Sequence, residues 1–352
     1  MCDRGSVWKI EPMESVFTET GLEELRPAEV REGSGRDISG PSVIHATGLS
    51  KRFGSVDALT GLDLNVPQHS IVGFLGPNGA GKTTAIKLLL GLSRPTSGQA
   101  TLFGLDAVKD STAIRTRVGY LAQDPRFYTH LTARETLEFT AKFFFKGPKS
   151  AIQDRIEETL DLVGLSDKAD RPTKGFSGGE RQRLGIAQAQ VNHPDLLVLD
   201  EPAAALDPLG RRDVLKIMER LREHTTIFYS THILDDVQRV SDHVVILHQG
   251  RKVADATTSQ LLDGGCTYQL DLRGDTSTAK STLQGQPWVS EVVLSSTESG
   301  DSMIVTVTDQ RAGDALLLRS ILSDDALTVT NFGRKQHNLE DVFLQLVEGQ
   351  ET

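Results

Sequence analysis

The sequence predicts an α/β protein: a mostly parallel sheet, a helical insertion within it, and a small α+β domain at the end of the chain. Three observations carry this reading. Short apolar runs alternate with amphipathic stretches from Val43 to about Thr258. One of those runs, residues 70–75, passes straight into a glycine-rich loop that opens a helix. The last part of the chain shows a β-α-β-β-α-β order with period-two patterning.

Composition sets the frame. With 352 residues, 38% hydrophobic and 24% charged, the chain is long enough for one large and one small globular domain. A net charge of −10 argues against nucleic acid as the main partner, since binders of phosphate backbones carry a basic footprint. Cys2 and Cys266 build neither a disulfide framework nor a metal cluster, which points to a reducing, intracellular setting. The longest apolar runs fall short of the ~18 residues that a membrane span needs. Residues 1–40 alternate charges and lack the apolar segment of a signal peptide. A membrane role would therefore come through another chain.

Taken in order, residues 1–41 are rich in Glu, Arg, Gly and Ser and are expected to be a mostly disordered extension. Residues 42–260 form the α/β domain. After the strand at 70–75 and its loop, Ile86, Leu89 and Leu90 give a helix an apolar face that ends near Gly91. Further strands are predicted at 98–103, 118–122, 196–200, 226–230 and 244–247. Residues 124–190 read as a helical subdomain inserted between core strands. There Thr132 with Glu135 forms a capping box ahead of Leu137, Ala141, Phe144 and Phe145. Ser150 with Gln153 repeats the device ahead of Ile156, Leu160 and Val163.

Residues 266–352 make the second domain. Tyr268, Leu270 and Leu272 alternate, as do Met303, Val305 and Val307; strands at 288–294 and 327–332 and helices at 276–284 and 312–322 complete a ferredoxin-like order. A last helix at 339–347 would be capped by Asn338 with Asp341. Nothing in this domain looks catalytic, so it is expected to be regulatory or dimerising and separable from the chemistry.

The chemistry sits upstream. Gly76-Pro77-Asn78-Gly79-Ala80-Gly81-Lys82-Thr83-Thr84 matches the P-loop pattern in its strand–loop–helix context. Its glycines let successive N–H groups curl around a β-phosphate, Lys82 reaches the β/γ oxygens, and the Thr83 hydroxyl suits Mg²⁺. The apolar run 196–199 ends in Asp200 and Glu201, at the carboxyl end of a strand, where α/β sheets bind ligand. Asp200 can hold the metal, and Glu201 can polarise a water in line with the γ-phosphate. A second phosphate-friendly turn, Ser177-Gly178-Gly179, opens another helix.

Together these motifs resemble the ATP-binding cassette family over residues 43–260. The resemblance implies ATP and Mg²⁺ as ligands and a dimer of cassettes. In that dimer Ser177, Gly178, Gly179 and the D-loop residue Asp207 contact the nucleotide of the partner's P-loop. It also implies that Gln123 senses the metal, that His232 contacts the γ-phosphate, and that Phe53 stacks on adenine. One departure stands out: Ala203-Ala204-Ala205 carries no hydroxyl where related chains commonly have Thr or Ser. The segments 230–237 and 338–344 resemble cassette subunits of bacterial and archaeal exporters, whose permease is a separate polypeptide. The expected role is thus the ATPase subunit of an exporter, on the cytoplasmic side of the membrane and held there by its permease. A soluble cassette ATPase acting in cofactor assembly or on a macromolecular complex is the alternative.

Overall fold

The computed structural model describes residues 42–146, 148–262, 267–297, 300–322, 327–335, 339–340 and 342–343. The expected N-terminal extension, both cysteines, and the cap by Asn338 and Asp341 lie outside the described residues.

Two long strands open the fold, β1 (Ser42–Phe53) and β2 (Val56–Pro67), paired antiparallel. Buried Leu49, Leu59, Leu62, Leu64 and Val66 alternate with exposed residues along them, which is how a strand half-covered by a core must read. Then follow β3 (Ile71–Leu75), α1 (Lys82–Leu89), β4 (Ser97–Leu102), β5 (Leu105–Asp106), α2 (Ser111–Thr116) and β6 (Val118–Leu121). The helical insertion holds α3 (Ala133–Ala141), α4 (Lys149–Leu162), two short 3₁₀ turns and α5 (Gly178–Gln190). The chain returns through β7 (Leu196–Asp200), α6 (Pro208–Leu221), β8 (Thr226–Thr231), α7 (Leu234–Val240), β9 (His243–His248), β10 (Arg251–Thr257) and α8 (Thr258–Leu262).

The strands sort into two sheets rather than one. A six-stranded sheet runs β10-β9-β3-β8-β7-β6, parallel except for the antiparallel edge strand β10. Its central strands β3, β7 and β8 are buried throughout, so they read as unbroken apolar runs. The strand expected at 98–103 does not join it. As β4 it pairs antiparallel with β1 in a separate sheet, β2-β1-β4-β5. Antiparallel neighbours leave no connection-length signal when their partner lies far away in sequence, as β1 does.

Two details of the insertion differ from the sequence reading. Thr132 and Glu135 do form their reciprocal box. Ser150 and Gln153 do not: α4 starts at Lys149 after Pro148, whose fixed φ sets the entry, and no side chain caps it. Leu137 and Ala141 are buried, but α3 ends there, so Phe144 lies past the helical period and is 41% exposed.

The terminal unit comprises β11 (Thr267–Arg273), α9 (Thr276–Gln284), β12 (Val289–Thr297) and β13 (Gly300–Val307). A helical run follows as α10 (Gln310–Ala312), a π-turn at Gly313–Leu317 and α11 (Leu318–Leu322), then β14 (Thr328–Arg334). The sheet order β12-β13-β11-β14, all antiparallel, is the ferredoxin-like arrangement. Its own core includes Tyr268, Leu270, Met303, Val305 and Leu317. One residue of this region belongs elsewhere: Leu339, 1% exposed, sits in the apolar cluster of the α/β domain, with Phe343 packed against that cluster. Leu339 and Phe343 therefore pack with the larger core and not with the core of the terminal unit.

Candidate functional site

The phosphate-binding loop leaves β3 and is folded by its glycines. A Cβ on Gly76 would stand 2.3 Å from the Leu247 carbonyl oxygen, and one on Gly81 2.4 Å from that of Ala58. Gly79 and Gly81 also hold φ of 84° and 105°, which side-chain-bearing residues rarely adopt. The Gly76 N–H donates to the Thr231 carbonyl at 3.1 Å, and that of Ala80 to Pro77 at 3.1 Å. Lys82, in the first turn of α1, is 6% exposed. Its ammonium donates to the carbonyls of Gly76 at 2.6 Å and Pro77 at 3.2 Å. Its counter-ion is Glu201, with Oε1 3.1 Å away.

Parallel pairing of β7 with β8 sets Asp200 opposite Ser230. Asp200, 1% exposed, accepts from the Thr83 hydroxyl at Oδ2 (2.9 Å) and from the Ser230 hydroxyl at Oδ1 (2.5 Å). Successive side chains of a strand point to opposite faces, so two consecutive acids would diverge. Here Glu201 takes φ 53°, a left-handed turn off the strand end, and its carboxylate swings back to the loop. It accepts from His232 Nδ1 at Oε2 (2.9 Å) as well as pairing with Lys82. Lys82, Thr83, Thr84, Asn78, Gly79, Gly81, Gln123 and Glu201 line one pocket, closed on one side by Ala58 of β2. Gln123 enters it directly after β6. Ala80 is buried behind the loop, and Pro77 is exposed at its tip. Phe53 ends β1 with 53% of its surface exposed and the Lys51 ammonium 4.9 Å from its ring centroid. It does not line the pocket.

The second turn is built differently. Ser177 caps α5, its hydroxyl accepting from the Glu180 N–H at 3.2 Å while Glu180 accepts from the Ser177 N–H at 2.7 Å. Burial works to raise the Glu180 carboxyl, but the Ser177 N–H, the Lys168 ammonium and Arg171 outweigh it and bring the group below its ordinary range. Asp207 caps α6 through the Gly210 N–H. Ser177, Gly178, Gly179, Arg183, Leu206 and Asp207 line an open pocket that shares no residue with the P-loop pocket. A Cβ on Gly178 or Gly179 would meet nothing within 4 Å. In contrast to the P-loop glycines, the chain's own packing gives no reason for them.

Sequence reasoning missed Ser230, because only knowledge that β8 lies beside β7 puts its hydroxyl between the two acids. It also missed Asp236 on α7, 1% exposed, whose carboxylate pairs with Arg211 on α6 and is pushed up by burial. A divalent cation fits Thr83 and Asp200, a hydroxyl and a carboxylate already side by side. Among the described residues no group of three or more His, Cys, Asp or Glu could hold one alone, so the cation's other oxygens would have to come from phosphate and water.

The likeness to known proteins agrees with this geometry. A family model described as "ABC transporter" matches residues 59–204. The bacitracin transport ATP-binding protein BcrA of Bacillus licheniformis is 35% identical over 88% of this chain and 98% of its own length. The Nod factor export ATP-binding protein I of Ralstonia nicotianae is 33% identical over 89% of this chain and 96% of its own. Among solved structures, cbiO1 of Clostridium perfringens, described as part of the ABC transporter complex cbiONQ, superposes with a TM-score of 0.58. It is 26% identical, covering 62% of this chain and 90% of its own.

Proposed function

The chain belongs to the ABC transporter family, and from that premise we propose that it is the ATP-hydrolysing subunit that powers a separate export permease. No helix among the described residues is long and apolar enough to cross a membrane. On this reading the protein sits on the cytoplasmic face, held there by its permease. The relatives named for bacitracin transport and Nod factor export support the export direction.

The observation that carries the reading is the split between the two pockets. One holds the phosphate loop with Lys82, Thr83, Gln123 and Glu201. The other holds a helix N-terminus with a hydroxyl and two glycines that nothing in the chain requires. Each is half of a site, so two chains set head to tail complete two sites.

In each composite site the loop N–H groups hold the β-phosphate and Lys82 spans the β/γ oxygens. A magnesium ion on Thr83 and Asp200, with Gln123 at the pocket edge, would offset charge on the phosphates. Glu201 takes up the proton of a water in line with the γ-phosphate, and His232 both steadies that carboxylate and reaches the γ-phosphate. Phe53 offers its exposed ring face to adenine. The partner's Ser177, Gly178, Gly179 and Asp207 close the site, so a wet surface turns into a dry one only when two chains meet.

The test is turnover with fluorescent-ATP binding in wild type and Lys82→Ala. Losing charge-assisted bonds to phosphate should weaken binding roughly tenfold or more and abolish turnover. Near-normal hydrolysis by Lys82→Ala would refute the site. Recovery of a membrane permease with the tagged chain supports transport; recovery of assembly or ribosomal proteins instead overturns it.

A further inference from the structure

The structure assigns Ser230 as the positioning residue that holds both carboxylates of the site in working geometry. This rests on the ATPase reading above and deepens it. Ser230 is fully buried at the carboxyl end of β8. Its hydroxyl has one proton, and that proton goes to Asp200 Oδ1 at 2.5 Å. The same oxygen accepts from the Glu201 N–H at 3.0 Å, and the Ser230 carbonyl accepts from that N–H at 3.1 Å. One residue therefore grips the side chain of the first acid and the backbone of the second.

Each grip has a consequence. With Oδ1 fixed by Ser230, Asp200 can turn only Oδ2 toward Thr83, which makes the pair a ready ligand set for a divalent cation. Remove the donor and a buried carboxylate oxygen is left unpaired, free to rotate away from that pose. The grip on Glu201 acts on its left-handed turn. A residue with a side chain rarely stays at φ 53° unless its surroundings hold it there, and the forked bond from its N–H to Ser230 does so. That turn is what brings the Glu201 carboxylate to Lys82 and His232. Ser230 does not line the pocket; it acts through the two acids.

The experiment measures binding of a fluorescent ATP analogue, with and without Mg²⁺, beside turnover, in wild type, Ser230→Ala and Ser230→Thr. In Ser230→Ala the Mg²⁺ concentration that half-saturates the metal-dependent tightening of binding should rise roughly ten- to a hundredfold, the usual effect of losing a support behind a metal ligand. Its kcat at saturating Mg-ATP should fall by about tenfold or more while KM changes little, because the Glu201 turn is loosened. Metal-free binding, which uses the loop and Lys82, should stay as in wild type. Ser230→Thr keeps the hydroxyl and should restore both quantities. Unchanged metal dependence and kcat in Ser230→Ala overturn the assignment. So does loss of metal-free binding in that variant, which would make Ser230 a part of the fold alone. A Ser230→Thr chain that binds metal-free ATP normally yet behaves like Ser230→Ala also overturns it. Should the wild-type chain bind no ATP at all, the ATPase reading falls, and this assignment with it.

Discussion

The P-loop and the Ser177-Gly178-Gly179 turn of this chain use glycine for opposite reasons. In the P-loop, Gly76 and Gly81 are dictated from within: a single methyl on either would collide with the carbonyl oxygen of Leu247 or Ala58. The acids and the lysine around that loop are buried: Glu201 pairs with Lys82, and Asp200 is held by Thr83 and Ser230. In the second turn, Gly178 and Gly179 face open space, and the polar groups beside them are ordinary helix caps. The first half is complete as a fold and supplies the chemistry. The second, on the reading proposed above, keeps an approach clear for something the chain does not itself contain. A nucleotide carried by a second copy of the cassette satisfies that, because the pocket is anion-friendly through its N–H groups and dipole.

The sharpest way to break this contrast is to add the same methyl group to each half. Gly76→Ala should cost several kcal/mol of stability, since backbone rather than a flexible side chain stands in the way, and should lose nucleotide binding with it. Urea unfolding and ATP binding read both effects. Gly179→Ala should leave stability within about 1 kcal/mol of wild type, or raise it, because alanine is the better helix former. Its ATP binding should be normal while turnover falls, as the methyl obstructs the partner's phosphate. Equal damage to stability in the two variants would erase the distinction drawn here.

A smaller effect concerns the Glu180 box. Its carboxyl is held below the ordinary value of 4.5 in the folded chain. A lowered folded-state value adds stability that is present above the unfolded value and disappears as pH falls through the folded one. Wild type should therefore melt above Glu180→Gln at neutral pH, by a few degrees at most, and the gap should close below pH 4.5. A gap that grows on acidification would mean that the carboxylate is not what stabilises α5.

Much of this was legible in the sequence, and for identifiable reasons. The P-loop, the Asp200-Glu201 pair and the Ser177 cap are local: their chemistry lies within a few consecutive residues, so spacing alone reveals it. The pairing of β1 with β4 was not legible, because the residues that bond are far apart in sequence and nothing local marks one as the other's partner. Ser230 failed for the same reason. Its role depends on β8 lying beside β7, and a serine at a strand end is otherwise unremarkable in composition and pattern. Leu339 was read as opening a terminal helix, and it is helical, but that its side chain packs into the core of the α/β domain was not legible. An apolar residue's periodicity says that it will be covered, and not by what.

On the proposed reading the two halves make one site only when two chains meet, so dimerisation under nucleotide is the decisive observation. Glu201→Gln removes the carboxylate proposed to take the proton and also the negative partner of Lys82, so ATP should bind at least as well as in wild type but persist. Size-exclusion chromatography with light scattering should show this variant as a monomer without nucleotide and as a dimer at saturating Mg-ATP. Adding Ser177→Arg should return it to monomer with ATP still bound, because the bulk lies in the closing surface and not in the P-loop pocket. A Glu201→Gln chain that remains monomeric at saturating Mg-ATP, both alone and with its permease present, would contradict the account.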